Sequence, residues 1–97
     1  EAERRGCTVL GELTGHGIGR SIHEEPTVPN VYVPELDAPL REGTVITIEP
    51  ILGLGSSEIR SGGDGWTILT ADGAPSAHAE HTLVVSAGGP MVLTAAG

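Results

Sequence analysis

Prolines at 26, 29, 34 and 39 crowd the stretch between Glu24 and Gly43, and no helix of ordinary length can run through them. Each proline lacks a backbone N–H and biases the residue before it away from the helical region. Residues 24–43 are therefore expected to form a loop with at most short extended pieces. Fifteen glycines extend the same constraint along the 97-residue chain. Tyr32 and Trp66 are the two aromatic residues, so few large side chains are available to fill a core. A turn-rich chain built on a sheet satisfies these limits better than a helical one.

Local patterns locate the elements. Glu1-Ala-Glu-Arg-Arg-Gly6 reads as the last turn of a helix closed by a glycine cap. A helix present only as its own end, in a chain that starts without methionine, points to a piece of something larger. Thr8 to Thr14 alternates loosely and reads as a strand. The β-branched run Thr44-Val45-Ile46-Thr47-Ile48-Glu49, opened by Gly43 and stopped by Pro50, is the clearest strand in the chain. Residues 53–65 read as a turn or mobile loop. Trp66 to Leu69 and His81 to Val85 are strand-like, with Ala71-Asp72-Gly73 as the expected hairpin turn between them. Met91 to Thr94 forms a final apolar piece after the Gly88-Gly89-Pro90 turn. No repeat and no linker divides the chain, so residues 1–97 are expected to be one domain, a mainly antiparallel sheet with a short N-terminal helix end.

Five basic residues against thirteen acidic ones give a net charge of −8. That balance repels phosphate backbones and anionic lipid surfaces, which argues against nucleic acid and membrane as partners. No apolar run approaches the roughly 18–20 residues needed to span a bilayer. Cys7 is the one cysteine, which suits a reducing, cytoplasmic setting. It reads as a small buried apolar group, since nothing nearby in sequence lowers its thiol pKa.

Two carboxylates stand out by position. Val45, Thr47 and Glu49 share one face of the clearest strand, and a carboxylate ending an apolar strand is costly to bury without a positive partner. Glu80 has a similar setting before His81-Thr82-Leu83-Val84-Val85, and His78, Glu80 and Thr82 would point to one side of an extended backbone. His16 sits in Gly15-His16-Gly17-Ile18-Gly19, where glycines permit close backbone approach. His23 follows seven residues on, beside Glu24 and Glu25. Carboxylates and imidazole on separate elements suit Mn, Fe, Co or Zn, and the lack of thiols argues against a structural zinc cluster. On residue types alone, buried and satisfied polar groups are the commoner outcome for such residues. Under that alternative His23, His81, Glu24 and Glu25 are solvated, His78 pairs with a neighbour, and Trp66 is packing.

Taken together, Gly15-His16-Gly17-Ile18-Gly19-Arg20, Ile22-His23-Glu24-Glu25-Pro26, Ile48-Glu49-Pro50, Asp64-Gly65-Trp66-Thr67 and Glu80-His81-Thr82 resemble the type I methionine aminopeptidases in order and spacing. The resemblance runs from about Gly6 to Leu93. It implies an α/β (α+β) pita-bread fold, in which two halves are related by a pseudo-twofold axis, with this chain as the second half. It further implies a site with two divalent ions (Co, Mn, Fe or Zn) and a water between them, with His16, Glu49 and Glu80 as metal ligands and Glu80 touching both ions. Glu49 would also carry protons. His23 would donate a hydrogen bond to the substrate, and Ile22 and Trp66 would border the methionine side-chain pocket.

Two further aspartate ligands would come from a first half that is absent here. Ile22 stands where a bulky aromatic is frequent, and His78 and Ala79 stand where glutamine and an aromatic are common. Ser76 matches a position that in some members helps hold an alkali cation. The implied activity is removal of the initiator methionine from nascent proteins in the cytoplasm. A catalytically inactive binding module of the same fold, or a half that acts only with a complementary chain, are the alternatives.

Overall fold

The computed structural model of the chain describes residues 1–95, and its regular structure is almost all short strand. A 3-10 helix at Glu3–Arg5 opens the chain, and Gly6 closes it in the left-handed conformation that only glycine adopts at little cost (φ 77°). Ten short strands follow: β1 (Thr8–Val9), β2 (Gly15–Gly17), β3 (Glu24–Val28), β4 (Val45–Ile48), β5 (Ile51–Gly53), β6 (Ile59–Ser61), β7 (Ile68–Thr70), β8 (Ser76–His78), β9 (His81–Val84) and β10 (Met91–Val92). A second 3-10 helix, Pro34–Leu36, lies between β3 and β4. The mainly antiparallel sheet with a short helix end is thus what forms.

The strands make three sheets, and every pairing is antiparallel. Five strands order as β10-β9-β4-β2-β3, three as β1-β5-β8, and two as β6-β7. The larger sheets are joined by a bent ribbon. Strand β4 leaves the five-stranded sheet and re-enters the three-stranded one as β5 after Glu49-Pro50. Strand β8 makes the reverse step into β9 through Ala79-Glu80. The ladder resumes in phase on both sides, with Ile48 opposite His81 and Ile51 opposite His78. Between them the Ala79 N–H donates to the Pro50 carbonyl at 3.3 Å. Both carboxylates singled out by the sequence therefore sit at one bend, where the ladder is interrupted and side chains are re-aimed.

Four expectations need correction. The strand expected over Thr8 to Thr14 is confined to Thr8–Val9, because Leu13 N–H turns back to the Leu10 carbonyl (3.2 Å). The proline-rich loop contains β3, the longest strand: it lies at a sheet edge, and Pro26 falls in an irregularity between the pairs His16–Thr27 and Gly17–Glu24, where no ladder N–H is required. The loop expected over 53–65 includes the end of β5 and all of β6. The turn at 71–73 does not join β7 to β9, since β7 pairs with β6 and the turn leads into β8.

The core is small. Leu10, Ile46 and Leu83 are the buried apolar side chains among the described residues, joined by Thr47. Ile22, Tyr32, Leu54, Trp66 and Met91 are among the large apolar groups left exposed. No helix among the described residues is long and apolar enough to cross a membrane.

Candidate metal centre

His16 is placed by its neighbours in sequence. Strand β2 runs between β3 and β4, and a side chain at either flanking position would overlap backbone: a Cβ on Gly15 would strike the Thr47 carbonyl oxygen, and one on Gly17 the Glu25 carbonyl oxygen. The pair of glycines lets three strands close around one imidazole. Its backbone N–H donates to the Thr47 hydroxyl at 3.0 Å. Its ring Nδ1 lies 2.9 Å from the Gly17 carbonyl, which can only accept, so Nδ1 carries the proton there.

That hydrogen bond leaves Nε2 to face the Glu49 carboxylate, with Oε1 3.1 Å away. Both side chains are 16% exposed. A bare imidazole lone pair and a carboxylate oxygen repel at this distance unless a proton or a metal cation lies with them. Glu49 is oriented in turn by Thr47, whose hydroxyl donates to Oε1 at 3.0 Å. Thr47 is 2% exposed and holds both partners, the His16 backbone and the Glu49 side chain, through one oxygen. Asn30 steadies the backbone below, its Nδ2 donating to the Leu13 carbonyl (3.1 Å) and the Glu49 carbonyl (3.3 Å).

Glu80 completes the group from the opposite strand of the bend. His16, Glu49 and Glu80 each offer a ligand atom, and the three atoms lie within 4.8 Å of one another. One imidazole nitrogen, already braced through its other nitrogen, and two carboxylates form a donor set that fits a divalent ion of the Mn, Fe, Co or Zn type.

The other expected residues divide. The His23 ring lies against His16, with centroids 4.3 Å apart and planes at 60°. It faces the open hollow that His16, Glu49, Thr14 and Thr27 also line. Glu24 turns to a local task, accepting the Ser21 N–H at 2.8 Å. Ile22 is exposed, and Trp66 lines a separate hollow on the β6–β7 hairpin with Ile59, Arg60 and Ile68. Neither borders the hollow beside His16. Ser76 is exposed on β8 opposite Gly53. His81 is exposed and meets the Thr94 hydroxyl at 2.9 Å. Thr47 and Asn30 went unmarked as site residues, although the alternation that places Thr47 on the face of Glu49 was already visible.

The sequence pattern of metallopeptidase family M24 matches residues 1–87. The chain belongs to this family. Membership in M24 makes divalent metal ions the cofactor class, in keeping with the His16, Glu49 and Glu80 group. Among curated M24 relatives, the methionine aminopeptidase of Clostridium perfringens is 45% identical over 92 residues, which cover 95% of this chain and 37% of that protein. Crystal structures of methionine aminopeptidases from Rickettsia prowazekii and Thermotoga maritima superpose with a TM-score of 0.89 each. They are 37% and 38% identical, and each match covers 38% of the neighbour's chain. The fold is therefore that of the pita-bread aminopeptidases, and the chain spans little more than a third of the length of the relatives it matches.

Proposed function

We propose that this chain forms part of a metal-dependent aminopeptidase that removes the initiator methionine from nascent proteins in the cytoplasm. The observation that carries this is the convergence of His16, Glu49 and Glu80 within 4.8 Å on a chain of a metallopeptidase family whose similar members are methionine aminopeptidases. His16, Glu49 and Glu80 would hold metal, and two further aspartates from a segment outside this chain would complete a site for two ions. When bound, such ions make a water nucleophilic near neutral pH and polarise the scissile carbonyl.

The chain's own residues would do the rest. Glu49, held by the Thr47 hydroxyl, would take the proton of the attacking water and pass it to the leaving amine. His23, its ring tilted against that of His16 and open to the hollow, would donate a hydrogen bond to the substrate as negative charge develops on its oxygen. Ile22 and Trp66 would meet the methionine side chain only once further chain packs beside them, since both are exposed and neither borders that hollow. A small core and exposed Tyr32, Leu54 and Met91 favour such packing.

The test is release of methionine by the full-length protein from peptides with a small second residue. Activity should vanish with a chelator and return with Mn or Co. Activity that survives the chelator would contradict the proposal.

A further inference from the structure

We propose that His78 is a positioning residue that holds the carboxylates of Glu49 and Glu80 at their working spacing, an inference that rests on the metal-centre proposal above. The bend gives the two oxygens of Glu49 different neighbours. Glu49 Oε1 is occupied by the Thr47 hydroxyl and His16 Nε2, whereas Oε2 has His78 Nε2 at 3.5 Å. The same nitrogen lies 3.8 Å from Glu80 Oε2. Among the described residues, no other basic side chain comes within 4.0 Å of Glu80.

His78 is the last residue of β8, fixed opposite Ile51, and the Ala79–Pro50 hydrogen bond closes the step after it. Its ring is thus set over the gap between two like charges. Coulomb repulsion at such separations favours splaying the carboxylates apart unless a donor lies between them. An Nε2–H shared between Glu49 Oε2 and Glu80 Oε2 opposes that. Both distances exceed a direct hydrogen bond of about 2.7–3.2 Å, so the pull is a shared electrostatic one.

Ligation fits His78 less well. A metal-binding imidazole is almost always braced through its second nitrogen. The Gly17 carbonyl braces His16, but the His78 ring makes no such hydrogen bond among the described residues and is 44% exposed.

The experiment compares wild type, His78→Leu, His78→Ala and His78→Gln in the full-length protein. Manganese affinity is read by calorimetric titration, and the ligand set by the visible absorption of the cobalt-loaded protein. Leu and Ala remove the donor, and each should weaken manganese binding by roughly 10–100-fold, the usual cost of losing a partner that orients a ligand. Gln restores an N–H donor without an imidazole. It should return affinity close to wild type, with the cobalt bands unmoved. His78→Gln as weak as His78→Leu, with shifted cobalt bands, would make His78 a ligand and overturn the proposal. Donor-free variants equal to wild type would overturn it as well. A wild type that binds no divalent ion, or binds it unchanged in His16→Ala, would instead sink the metal-centre proposal and this inference with it.

Discussion

The bent ribbon of β4–β5 with β8–β9 and the hairpin of β6–β7 are both antiparallel pairs, yet they are held together by opposite means. At the bend, residues 29 to 31 positions apart meet: His16 donates its backbone N–H to Thr47, and Glu49 faces His78 and lies near Glu80. In the hairpin the organising group is local. Asp64 accepts the N–H groups of Trp66 (3.1 Å) and Thr67 (2.7 Å) and the Thr67 hydroxyl. These bonds, led by the Thr67 hydroxyl and then its N–H, pull the Asp64 carboxyl down to about 2. The hairpin makes its turn from its own residues and leaves Trp66 exposed. The bend assembles a chemical centre from strands β2, β4 and β8 and from the β4–β5 and β8–β9 steps that carry Glu49 and Glu80. Long-range pairing places the chemistry, and local turn chemistry only shapes a surface.

The comparison should break first at Glu80. Replacing Glu80 with Gln keeps the shape but removes a charged donor from the group. In a methionyl-peptide assay of the full-length protein it should cost more than the roughly 10–100-fold expected for an orienting partner. A loss no larger than that of His78→Gln would mean that Glu80 is not a ligand.

Thr47→Val removes one buried oxygen and strands two partners, the His16 N–H and Glu49 Oε1. Denaturant unfolding should report about 1–3 kcal/mol of lost stability, the usual cost of leaving buried polar groups unsatisfied. A change near zero would show that Thr47 is only packing.

The smallest effect belongs to the hairpin. A carboxyl held below its ordinary 3.8 stabilises the turn above that value and loses this as pH falls towards about 2. The amide signals of Trp66 and Thr67 should therefore shift together across that acid range. In Asp64→Asn the shift should disappear while metal affinity stays at wild type. A change in metal binding would show that hairpin and bend are coupled.

What was legible in the chain follows the same division. The run ending at Glu49 and the glycines around His16 announced themselves through strand propensity and the absence of side chains. The family resemblance linked them to Glu80. Strand β3 was hidden because Pro26 argues against a ladder, and only the irregularity opposite His16 and Gly17 makes room for it. Strand β6 was hidden among glycines and serines, and its pairing with β7 is set by a turn whose caps come from Asp64. Thr47 looked like any β-branched strand residue, and its role needs two partners on other segments. Asn30 lies in the stretch 24–43 read as a loop, yet its side chain bridges two distant carbonyls. Contacts of this kind depend on register across the sheet, which one-dimensional spacing does not encode.

The most direct test of the centre is titration of manganese into the 97-residue chain, beside His16→Ala. Three ligands without the proposed aspartates provide for one ion, since two cations held close need more negative charge between them than Glu49 and Glu80 supply. The account predicts saturation at no more than one weakly held ion per chain, with that binding lost in His16→Ala. Two tightly bound ions per chain, or binding indifferent to His16, would contradict it.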